Sequence, residues 1–365
     1  MMNFKVLHIG LGDEWRGGEQ QQFYLLQELT RLGLCSNASY CRIASSLEAK
    51  TIDSIPCFSY RNTTTVNPFF LAHLNKTIKH NGIDLIHCHD ARSHSVTVLL
   101  VLFFGLKIPI IAARRVDFPI KNKWFSRKKY NHPQVKKIIC VSNAIGKIIK
   151  PAIVDIDKIV TVYDGIDVNR FLPKSNKLRN EYSISPEKKL IGTVGALVGH
   201  KDHRTFVNTA AIILTQRKDV HFFIIGDGPR KEEIAQLITE KGIQNHITFT
   251  GFRTDIEAVL PELDLFLFTS SEEGLGTSVL DAMAAGVPIV CTNAGGIPEI
   301  IEDGSNGLMV SVKDTKSLAD KCLYLIDNAN ESRRLVENGK EHIVKFSKET
   351  MARETFKVYK TVLNR

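Results

Sequence analysis

The sequence has few cysteines, and none of them form closely spaced pairs. Its 365 residues contain seven, an odd number, scattered along the chain without a C-x-x-C motif. Small secreted domains held by disulfides and structural zinc sites need denser or regularly spaced cysteines, so both classes are excluded. The pattern favours reduced, buried thiols and a cytoplasmic location.

Long apolar runs are also missing. The most apolar stretch, SVTVLLVLFFGLKI at residues 95–108, is shorter than the roughly 20 residues that a membrane-spanning helix requires. The chain opens with MMNFKVLHIG, which passes directly into a strand pattern without the charged and apolar regions of a signal peptide. We therefore predict a buried core helix at residues 95–108 and a fold that begins with the first residues.

Acidic residues are nearly absent from residues 107–150. This segment has twelve lysines and arginines against one acid, Asp117, and so carries +11, whereas the whole chain carries +9. Four aromatic residues lie among these charges: Phe118, Trp124, Phe125 and Tyr130. Such a mixture is typical of a surface that rests on anionic lipid headgroups, and a solvated loop is the alternative. Nucleic-acid binding is not expected, because no helix-turn-helix, zinc-ligand or RNA-binding motif accompanies the charges.

Short apolar runs alternate with helical patterns twice along the chain. KVLHIGL, IDLIHCHD and IPIIAARR are strand-like in the first half, and LIGTVGAL, VHFFIIGDG, ITFTGF, LDLFLFTSS and VPIVCTNAG are strand-like in the second. This alternation predicts an α/β protein with parallel sheets, and 365 residues predict two doubly wound, Rossmann-like domains. We expect a first domain at residues 1–168, a linker at 169–188, a second domain at 189–345, and a helix at 346–365 that packs back toward the first domain.

One stretch of the second half, TSSEEGLGTSVLDAM at residues 269–283, joins a strand end, a glycine turn and a helix start. Ligands of parallel sheets bind beyond the carboxyl ends of the strands. The N–H groups at a helix start form an anion site, and Gly274 and Gly276 let a phosphate approach the backbone. Glu273 and Asp281 can accept hydrogen bonds from hydroxyls on either side. The pattern predicts a sugar nucleotide, in which a diphosphate lies between a sugar and a ribose.

These motifs resemble a known family. EGLGTSVLD resembles the E-x7-E motif of retaining glycosyltransferases of the GT-B fold, in particular family four, and DAMAAGVPIVCTNAGGIPEIIEDGSNGLMV resembles the segment that follows it there. GGEQQQ, DLIHCHD, VYDGID, VGALVGHKDH and IIGDGP match in the same order, so the resemblance spans nearly the whole chain. It implies two Rossmann-like domains facing across a cleft. It also implies transfer with retention of configuration, in which the departing diphosphate helps to deprotonate the acceptor hydroxyl.

The resemblance also implies roles for single residues. Glu273 would bind hydroxyls of the donor sugar, Lys201 would neutralise the diphosphate, and His89 would line the sugar pocket near the reacting carbon; these are the three expected catalytic residues. The other expected donor-binding residues are Gly18, Gly195, Phe252, Arg253, Gly274, Leu275, Gly276, Thr277 and Asp281. Gly17 is expected at the acceptor.

Two arginines are further acceptor candidates from their position alone. Arg114 and Arg115 end the strand IPIIAARR, so they could receive an anionic acceptor such as a phosphorylated glycolipid. They fit equally well into the basic surface of residues 107–150.

The sequence departs from the family pattern at two positions. The second acid, which grips the ribose in the family, is Asp281 here, and the missing methylene shortens its reach by about 1.5 Å. The arginine that precedes the lysine in the family is replaced by Ala196, so part of the leaving-group stabilisation must come from elsewhere. His200, His203 and Arg204 are the candidates.

No metal and no cofactor are expected. His87 lies two residues before His89 on the same face of a strand, and HCHDARSH contains three histidines, but no second ligand cluster is evident. The family generally needs no divalent ion at its donor site. The donor itself is expected to be a nucleoside diphosphate sugar, with UDP as the nucleotide.

The sequence thus predicts a glycosyltransferase with a carbohydrate or glycolipid acceptor, such as a lipopolysaccharide, O-antigen or capsule precursor, at the cytoplasmic face of a membrane. A soluble acceptor and a sugar-nucleotide epimerase of the same architecture are alternatives. Ala196 and Asp281 keep open a non-catalytic nucleotide-sugar-binding protein. A nicotinamide-dependent oxidoreductase is disfavoured, because GLGDEW has Trp15 where the dinucleotide fingerprint has a third glycine.

Overall fold

The structure is a computed structural model that describes residues 4–15, 17–50, 54–61 and 67–365. Its strands are β1 Lys5–Ile9, β2 Ser36–Arg42, β3 Cys57–Tyr60, β4 Leu85–Cys88, β5 Ile110–Arg114, β6 Val135–Cys140, β7 Ile159–Thr161, β8 Lys189–Val194, β9 Val220–Ile225, β10 Ile247–Gly251, β11 Leu265–Phe268, β12 Ile289–Thr292 and β13 Leu308–Val310. Its α-helices are α1 Gly17–Arg31, α2 Ser46–Ala49, α3 Pro68–His80, α4 Ala91–Phe104, α5 Trp124–Tyr130, α6 Asn143–Ile149, α7 Lys177–Glu181, α8 His203–Gln216, α9 Lys231–Glu240, α10 Ile256–Val259, α11 Thr277–Ala284, α12 Thr315–Asp327, α13 Ala329–His342 and α14 Lys348–Leu363.

The chain divides into two compact units. The first comprises Met1–Gly165 and Phe346–Arg365, and the second comprises Ile166–Lys345. The predicted α/β class with two doubly wound parallel-sheet domains is confirmed, since every pair of neighbouring strands in both sheets runs parallel.

The first unit contains a seven-stranded sheet in the order β3-β2-β1-β4-β5-β6-β7. The strand order changes direction between β1 and β4, which makes the carboxyl ends of these two strands the switch point of the sheet. His8 of β1 lies opposite His87 of β4 in the register. Their positions therefore place histidines at the edge where a ligand of a doubly wound sheet binds.

The last helix of the chain, α14, completes the core of the first unit. Its buried residues Met351, Ala352, Val358 and Tyr359 join a cluster formed by residues of α1 and of the sheet. Phe356 stacks on Phe4 with ring centroids 5.8 Å apart. Because α14 supplies apolar side chains that cover the sheet, it belongs to this unit despite its place at the end of the sequence.

The second unit contains a six-stranded sheet in the order β10-β9-β8-β11-β12-β13. Here the strand order changes direction between β8 and β11. Buried aromatic and aliphatic residues such as Phe222, Leu265 and Val290 fill the space between the sheet and helices α8 and α12. Strands that are buried on both faces read as continuous apolar runs, which is why the sequence revealed most of them.

The segment predicted as a linker, residues 169–188, is packed against the second unit. It contains α7, whose first backbone N–H groups are capped from outside the helix. The Glu262 carboxylate accepts hydrogen bonds from the N–H groups of Lys177, at 2.5 Å, and Leu178, at 2.8 Å. The structure thus places residues 169–188 within the second unit, and a polar composition alone does not show that a buried carboxylate anchors the segment.

The apolar run at residues 95–108 forms most of α4. Val96, Val98, Leu100 and Val101 are buried as predicted, but Leu102 and Phe103 are 56% and 73% exposed. The prediction of a buried helix is thus wrong for its last turn. Among the described residues, no helix is long and apolar enough to cross a membrane.

Candidate active site

Two of the predicted catalytic residues meet at the switch point of the second sheet. Lys201 follows β8 and Glu273 follows β11, which pairs directly with β8. The Lys201 Nζ atom lies 2.5 Å from Glu273 Oε2, and the two side chains are only 19% and 14% exposed. The doubly wound topology therefore brings together two residues that are 72 positions apart in the sequence.

The loop that carries Glu273 is held by one of its own residues and by the loop that follows β12, a contact that the sequence did not reveal. Ser270 Oγ donates to Glu273 Oε2 at 3.3 Å, and the Gly296 N–H donates to the backbone carbonyl of Glu273 at 3.0 Å. A β-carbon on Gly295, whose φ is +51°, would lie 1.9 Å from that carbonyl oxygen. The signal in the sequence was the pair of glycines in NAGG, directly after the strand that neighbours β11.

The predicted phosphate turn follows Glu273. Gly276 precedes α11 with a φ of +101°, a conformation that favours glycine, and Leu275 is buried beneath the turn. Helix α11 then begins at Thr277. The first N–H groups of a helix have no acceptor within that helix, so this turn presents donors and the positive end of the helix dipole to an anion.

The second acid of the motif, Asp281, has a partner that the sequence analysis missed. Arg170 Nη2 lies 2.8 Å from Asp281 Oδ2, and Arg170 comes from the segment that was predicted as a linker. The other oxygen, Oδ1, is buried without a hydrogen-bond partner among the described residues. Burial raises the pKa of Asp281 from an ordinary value of 3.8 to about 6, although Arg170 lowers it in part.

Ala196, which replaces the family arginine, lies in the loop between β8 and Lys201. Ala196 is exposed after β8, and a β-carbon on Gly195 would lie 3.7 Å from Lys201 Cδ. Of the candidate substitutes, Arg204 pairs with Glu233 at 3.0 Å. His203 is buried, and its burial lowers its pKa to about 4, so it is neutral at physiological pH. The backbone carbonyl of His200 accepts a hydrogen bond from the Ser271 N–H.

The end of β10 carries the two residues expected near the nucleobase. Phe252 is 75% exposed. Arg253 is engaged by carboxylates: Nε and Nη2 donate to Asp255 at 2.8 Å each, and Nη1 donates to Glu181 at 2.8 Å. The guanidinium of Arg253 therefore joins the end of β10 to α7, while Phe252 presents its ring to solvent.

His89, the third predicted catalytic residue, lies in a buried histidine cluster of the first unit. His8, His87 and His89 are 0%, 1% and 6% exposed, and the rings of His87 and His89 are 4.2 Å apart. His8 Nδ1 lies 3.0 Å from His89 Nε2, and His87 Nδ1 lies 2.7 Å from the hydroxyl of Tyr359. Burial lowers the pKa of His8 to about 4 and the pKa values of His87 and His89 well below their usual range.

His8 is not evident as a partner of His89 in the sequence, because 81 residues separate the two. One nitrogen of each ring lies within 4.8 Å of the others, a spacing that could hold a metal ion. The cluster contains no carboxylate, and the guanidinium of Arg115 also lowers the pKa values of His87 and His89. A buried dication beside that guanidinium would be costly, so the charge beside the three histidines does not favour a divalent metal. That no metal binds here stays a prediction.

The two arginines expected at the acceptor have different surroundings. Arg115 donates to the backbone carbonyl of His89 at 3.2 Å and to the buried Asp164 at 3.1 Å. Arg114 is itself buried, and it donates to the backbone carbonyl of Phe118 and to the hydroxyl of Tyr130. The structure thus brings Arg115 beside His89, whereas Arg114 anchors the loop that follows β5 and is not part of the basic surface.

The glycines near the amino end lie at the start of a helix. Gly17 and Gly18 are the first two residues of α1. A β-carbon at either position would meet nothing within 4 Å. The start of α1 therefore has room for a ligand to approach the backbone.

The basic segment is only partly a surface. Lys129 is buried and donates to Ala91 O at 3.1 Å and to Ser95 Oγ at 3.0 Å. Other members are exposed on α5 and the loop before it: Lys121, Lys123, Trp124, Arg127 and Lys128. The Lys128 Nζ atom lies 4.4 Å from the centroid of the Trp124 ring, and that ring is 73% exposed. A smaller basic and aromatic surface therefore remains at residues 121–128.

Comparison with known proteins identifies the family of this chain. Residues 174–342 match the model for glycosyl transferases group 1, and residues 15–170 match the model for glycosyltransferase family 4. The 2-deoxystreptamine N-acetyl-D-glucosaminyltransferase of Niallia circulans is 30% identical over 70% of this chain and 71% of its own length. The lipopolysaccharide core biosynthesis mannosyltransferase LpsB of Rhizobium meliloti is 30% identical over 58% of this chain and 63% of its own length.

Solved structures show the same fold. Alr3699/HepE of Anabaena, in complex with UDP and glucose, matches 98% of this chain and all of its own chain with a TM-score of 0.85, at 19% sequence identity. The chain belongs to glycosyltransferase family four, the group 1 glycosyl transferases. The resemblance found in the sequence is thereby confirmed, and the protein is a glycosyltransferase.

Proposed function

We propose that the protein transfers a sugar from a nucleoside diphosphate sugar to an acceptor hydroxyl with retention of configuration. The observation that carries this proposal is the Lys201–Glu273 pair at the switch point of the second sheet, directly before the Gly274–Thr277 turn. Lys201 and the start of α11 suit a diphosphate, and the neighbouring Glu273 carboxylate suits the hydroxyls of a sugar attached to it.

In this proposal the donor redistributes the charges of the site. Before binding, Lys201 and Glu273 neutralise each other. The diphosphate then binds Lys201 and the N–H groups of the turn. Glu273 becomes available to accept hydrogen bonds from the sugar hydroxyls. As the bond between the sugar and the diphosphate breaks, Lys201 stabilises the departing charge. The acceptor oxygen bonds to the same carbon, and its proton goes to the departing diphosphate.

We expect the nucleotide to be UDP and the base to be bound mainly through the backbone at the end of β10. The contacts of Arg253 support binding of the base through the backbone. Its guanidinium already pairs with Asp255 and Glu181, so it is not available to the base. Alr3699/HepE, which has the same fold, was solved with UDP. His89 of the first unit is expected to contact the sugar, as the family resemblance implies, and Gly17, Gly18 and Arg115 are expected near the acceptor or the donor phosphate.

We further propose a glycolipid acceptor, such as a lipopolysaccharide, O-antigen or capsule precursor, at the cytoplasmic face of a membrane. The exposed lysines and the exposed Trp124 at residues 121–128 support contact with an anionic lipid surface. The relative LpsB is named for lipopolysaccharide core biosynthesis. A soluble carbohydrate acceptor is the second candidate. Arg115 is a cation that can bind an anionic group of the acceptor whether or not the acceptor carries a lipid.

A binding protein without transfer activity is the second candidate function. The observation in its favour is the engagement of Asp281 by Arg170, together with Ala196 in place of an arginine. Such a protein would bind the nucleotide sugar but release no nucleoside diphosphate in the presence of any acceptor.

A thermal-shift screen against UDP, GDP, ADP, their common sugar conjugates, NAD(H) and NADP(H) tests the donor. A ligand at 100 times its dissociation constant stabilises a protein by about 2.7 kcal/mol, which raises the midpoint measurably. We expect UDP and a UDP-sugar to raise the midpoint of the wild type, and Glu273→Gln to reduce the response to the UDP-sugar more than the response to UDP. Stabilisation by nicotinamide dinucleotides alone would overturn the proposal.

A further inference from the structure

The histidine cluster of the first unit has one end whose hydrogen-bond directions are fixed by the backbone. Asn37 Nδ2 donates to the backbone carbonyl of Cys35 at 3.1 Å and to the hydroxyl of Thr30 at 3.2 Å. A carbonyl only accepts hydrogen bonds, so the amide nitrogen of Asn37 must face Cys35. Its Oδ1 atom therefore faces His8 Nε2, at a distance of 3.2 Å.

This orientation fixes the proton on His8. Because Asn37 Oδ1 can only accept, the His8 Nε2 atom must carry the hydrogen. Burial lowers the pKa of His8 to about 4, so its ring is neutral near pH 7 and holds a single proton. The other nitrogen of His8, Nδ1, is therefore an acceptor.

The constraint passes from His8 to His89. His8 Nδ1 lies 3.0 Å from His89 Nε2, so His89 Nε2 must be the donor of this hydrogen bond. His89 is also neutral, since burial and the neighbouring His87, His8 and Arg115 all lower its pKa. Its single proton is then on Nε2, and its Nδ1 atom carries a lone pair.

The lone pair on His89 Nδ1 is not used within the described part of the chain. This atom is buried and has no hydrogen-bond partner among the described residues. Buried polar atoms are seldom left unpaired, and those that are often belong to binding or catalytic sites. The neighbouring backbone carbonyl of His89 is already held by Arg115 at 3.2 Å.

We propose that Asn37 and His8 are positioning residues that lock His89 in the Nε2–H tautomer, so that its Nδ1 atom accepts a hydrogen bond from a hydroxyl of a bound ligand. The inference rests on the proposed function for the identity of that ligand, a sugar, but the tautomer itself follows from the hydrogen bonds of the cluster and the neutrality of its buried rings. A ligand group that can only accept, such as a carboxylate or phosphate oxygen, has no partner at this atom. At its Nδ1 atom, His89 thus selects hydroxyl donors and donates no hydrogen bond to the ligand.

The test measures the tautomer in the full chain by NMR with ¹⁵N-labelled histidine rings at neutral pH. Two-bond correlations between ring protons and ring nitrogens distinguish the tautomers, and loss of signals in His89→Gln and His8→Asn assigns the two residues. We expect His89 in the Nε2–H form. A wild-type spectrum with His89 protonated on Nδ1 would overturn the proposal without any measurement of activity.

Two substitutions of His8 separate positioning from packing. In His8→Asn the side-chain oxygen can take the place of Nδ1 as the acceptor, and we expect His89 to stay in the Nε2–H form. His8→Leu removes the acceptor, and we expect a mixture of both tautomers. The proposal is contradicted if His89 keeps a single Nε2–H form in His8→Leu. Thermal midpoints of both variants show whether they fold. If His8→Leu does not fold, the His89 tautomers in the wild type and in His8→Asn still test the proposal.

Activity then provides a separate reading. If the proposed function holds, kcat/KM for sugar transfer should fall about fivefold to tenfold in His8→Leu, the effect expected from one misplaced hydrogen bond, and stay close to wild type in His8→Asn. Absence of transfer in all proteins, wild type included, would count against the proposed function and leave the tautomer result intact. Addition of equimolar Zn²⁺ is expected to leave the three rings unchanged. If all three shift together, the cluster is a metal site and the proposal is wrong.

Discussion

Lys201 and Glu273 each compensate the charge of the other. They are 2.5 Å apart in a partly buried site, so the loss of one leaves the other without a partner. We expect Lys201→Met, which keeps the length of the stem, to weaken UDP binding about tenfold or more, because a hydrogen bond to a charged group contributes about 1.5–3 kcal/mol. Isothermal titration calorimetry measures the dissociation constant. Lys218→Met, at an exposed position of the same unit, is the control, and equal affinities of the two variants would contradict the role of Lys201.

Asp281 should make the stability of the protein depend on pH in an unusual direction. Its pKa is raised from 3.8 to about 6 by burial, so the folded protein favours the protonated acid. The resulting stabilisation is fully present below about pH 4 and is lost as the pH rises through about 6. Asp281→Asn cannot ionise. Relative to the wild type, we expect its free energy of unfolding to improve by up to about 3 kcal/mol between these pH values.

Urea denaturation of the wild type and Asp281→Asn across this pH range measures the change. Asp320→Asn, at an exposed position of α12, is the matched control and should differ from the wild type by a nearly constant amount. Asp281→Asn also loses the ion pair between Arg170 and Asp281 Oδ2. This loss changes the free energy of unfolding by the same amount at every pH, so it does not change the slope of the difference from the wild type against pH. A flat difference for Asp281→Asn would show that this carboxyl ionises as an ordinary acid.

At this scale the sequence identified the reactive residue types but not their partners. Glu273, Lys201 and Asp281 follow from a motif whose spacing is local. Arg170 and Gly295 do not, because each contacts the motif from a distant part of the chain. Nothing in the composition of NRFLP or NAGG shows which atom their residues contact.

The loop after β12 should determine the position of the Glu273 loop. In Gly295→Ala the new β-carbon would lie 1.9 Å from the carbonyl oxygen of Glu273, and the φ of +51° adds strain. We expect a loss of about 2–5 kcal/mol in stability, from about 1–2 kcal/mol of backbone strain plus about 1–3 kcal/mol of overpacking, together with weaker binding of a UDP-sugar. Calorimetric Tm and titration with the UDP-sugar measure the two effects.

Gly242→Ala is the control for backbone strain alone. Gly242 has a similar φ of +66°, but a β-carbon there would meet nothing within 4 Å. The loss of stability in Gly242→Ala should be limited to about 1–2 kcal/mol, and ligand affinity should stay unchanged. If the two variants behave alike, contact with Glu273 does not matter.

The elements that the sequence revealed are those with strong local patterns. The apolar runs of β8, β9 and β11 were predicted close to their observed bounds. The strands β2, β3, β7 and β13 were missed, because SNASYCR is largely polar and the other three are only three or four residues long. Such strands form because a neighbouring strand supplies their hydrogen bonds, which a local pattern does not show.

For the whole molecule, the proposed lipid contact is tested with vesicles. The triple variant Lys121→Ser, Lys123→Ser and Lys128→Ser removes exposed charges from residues 121–128. Each lysine near an anionic surface contributes about 1 kcal/mol, so we expect binding to vesicles with anionic lipids to fall by up to about 100-fold. Co-sedimentation at low and high salt measures the binding, which should weaken with salt in the wild type.

A variant with the same change in charge elsewhere distinguishes a local surface from net charge. Lys188→Ser, Lys218→Ser and Lys241→Ser remove three lysines of the second unit, of which Lys218 and Lys241 are exposed. This variant should bind the vesicles as the wild type does. Equal losses of vesicle binding in both triple variants, or vesicle binding that salt does not affect, would contradict the proposal of a specific lipid surface.

By itself the sequence determined the class of fold, the family, and the acids, lysine and glycines of the motif. These follow from hydrophobic periodicity and from spacings within a few helical turns, which are local properties. The tertiary structure decided which distant residues meet: His8 with His89, Arg170 with Asp281, Gly295 with Glu273, and α14 with the first sheet. It also removed Arg114 and Lys129 from the basic surface by burying them. Contacts of this kind depend on strand order and burial, and those are set by the packing of the whole chain rather than by any one segment.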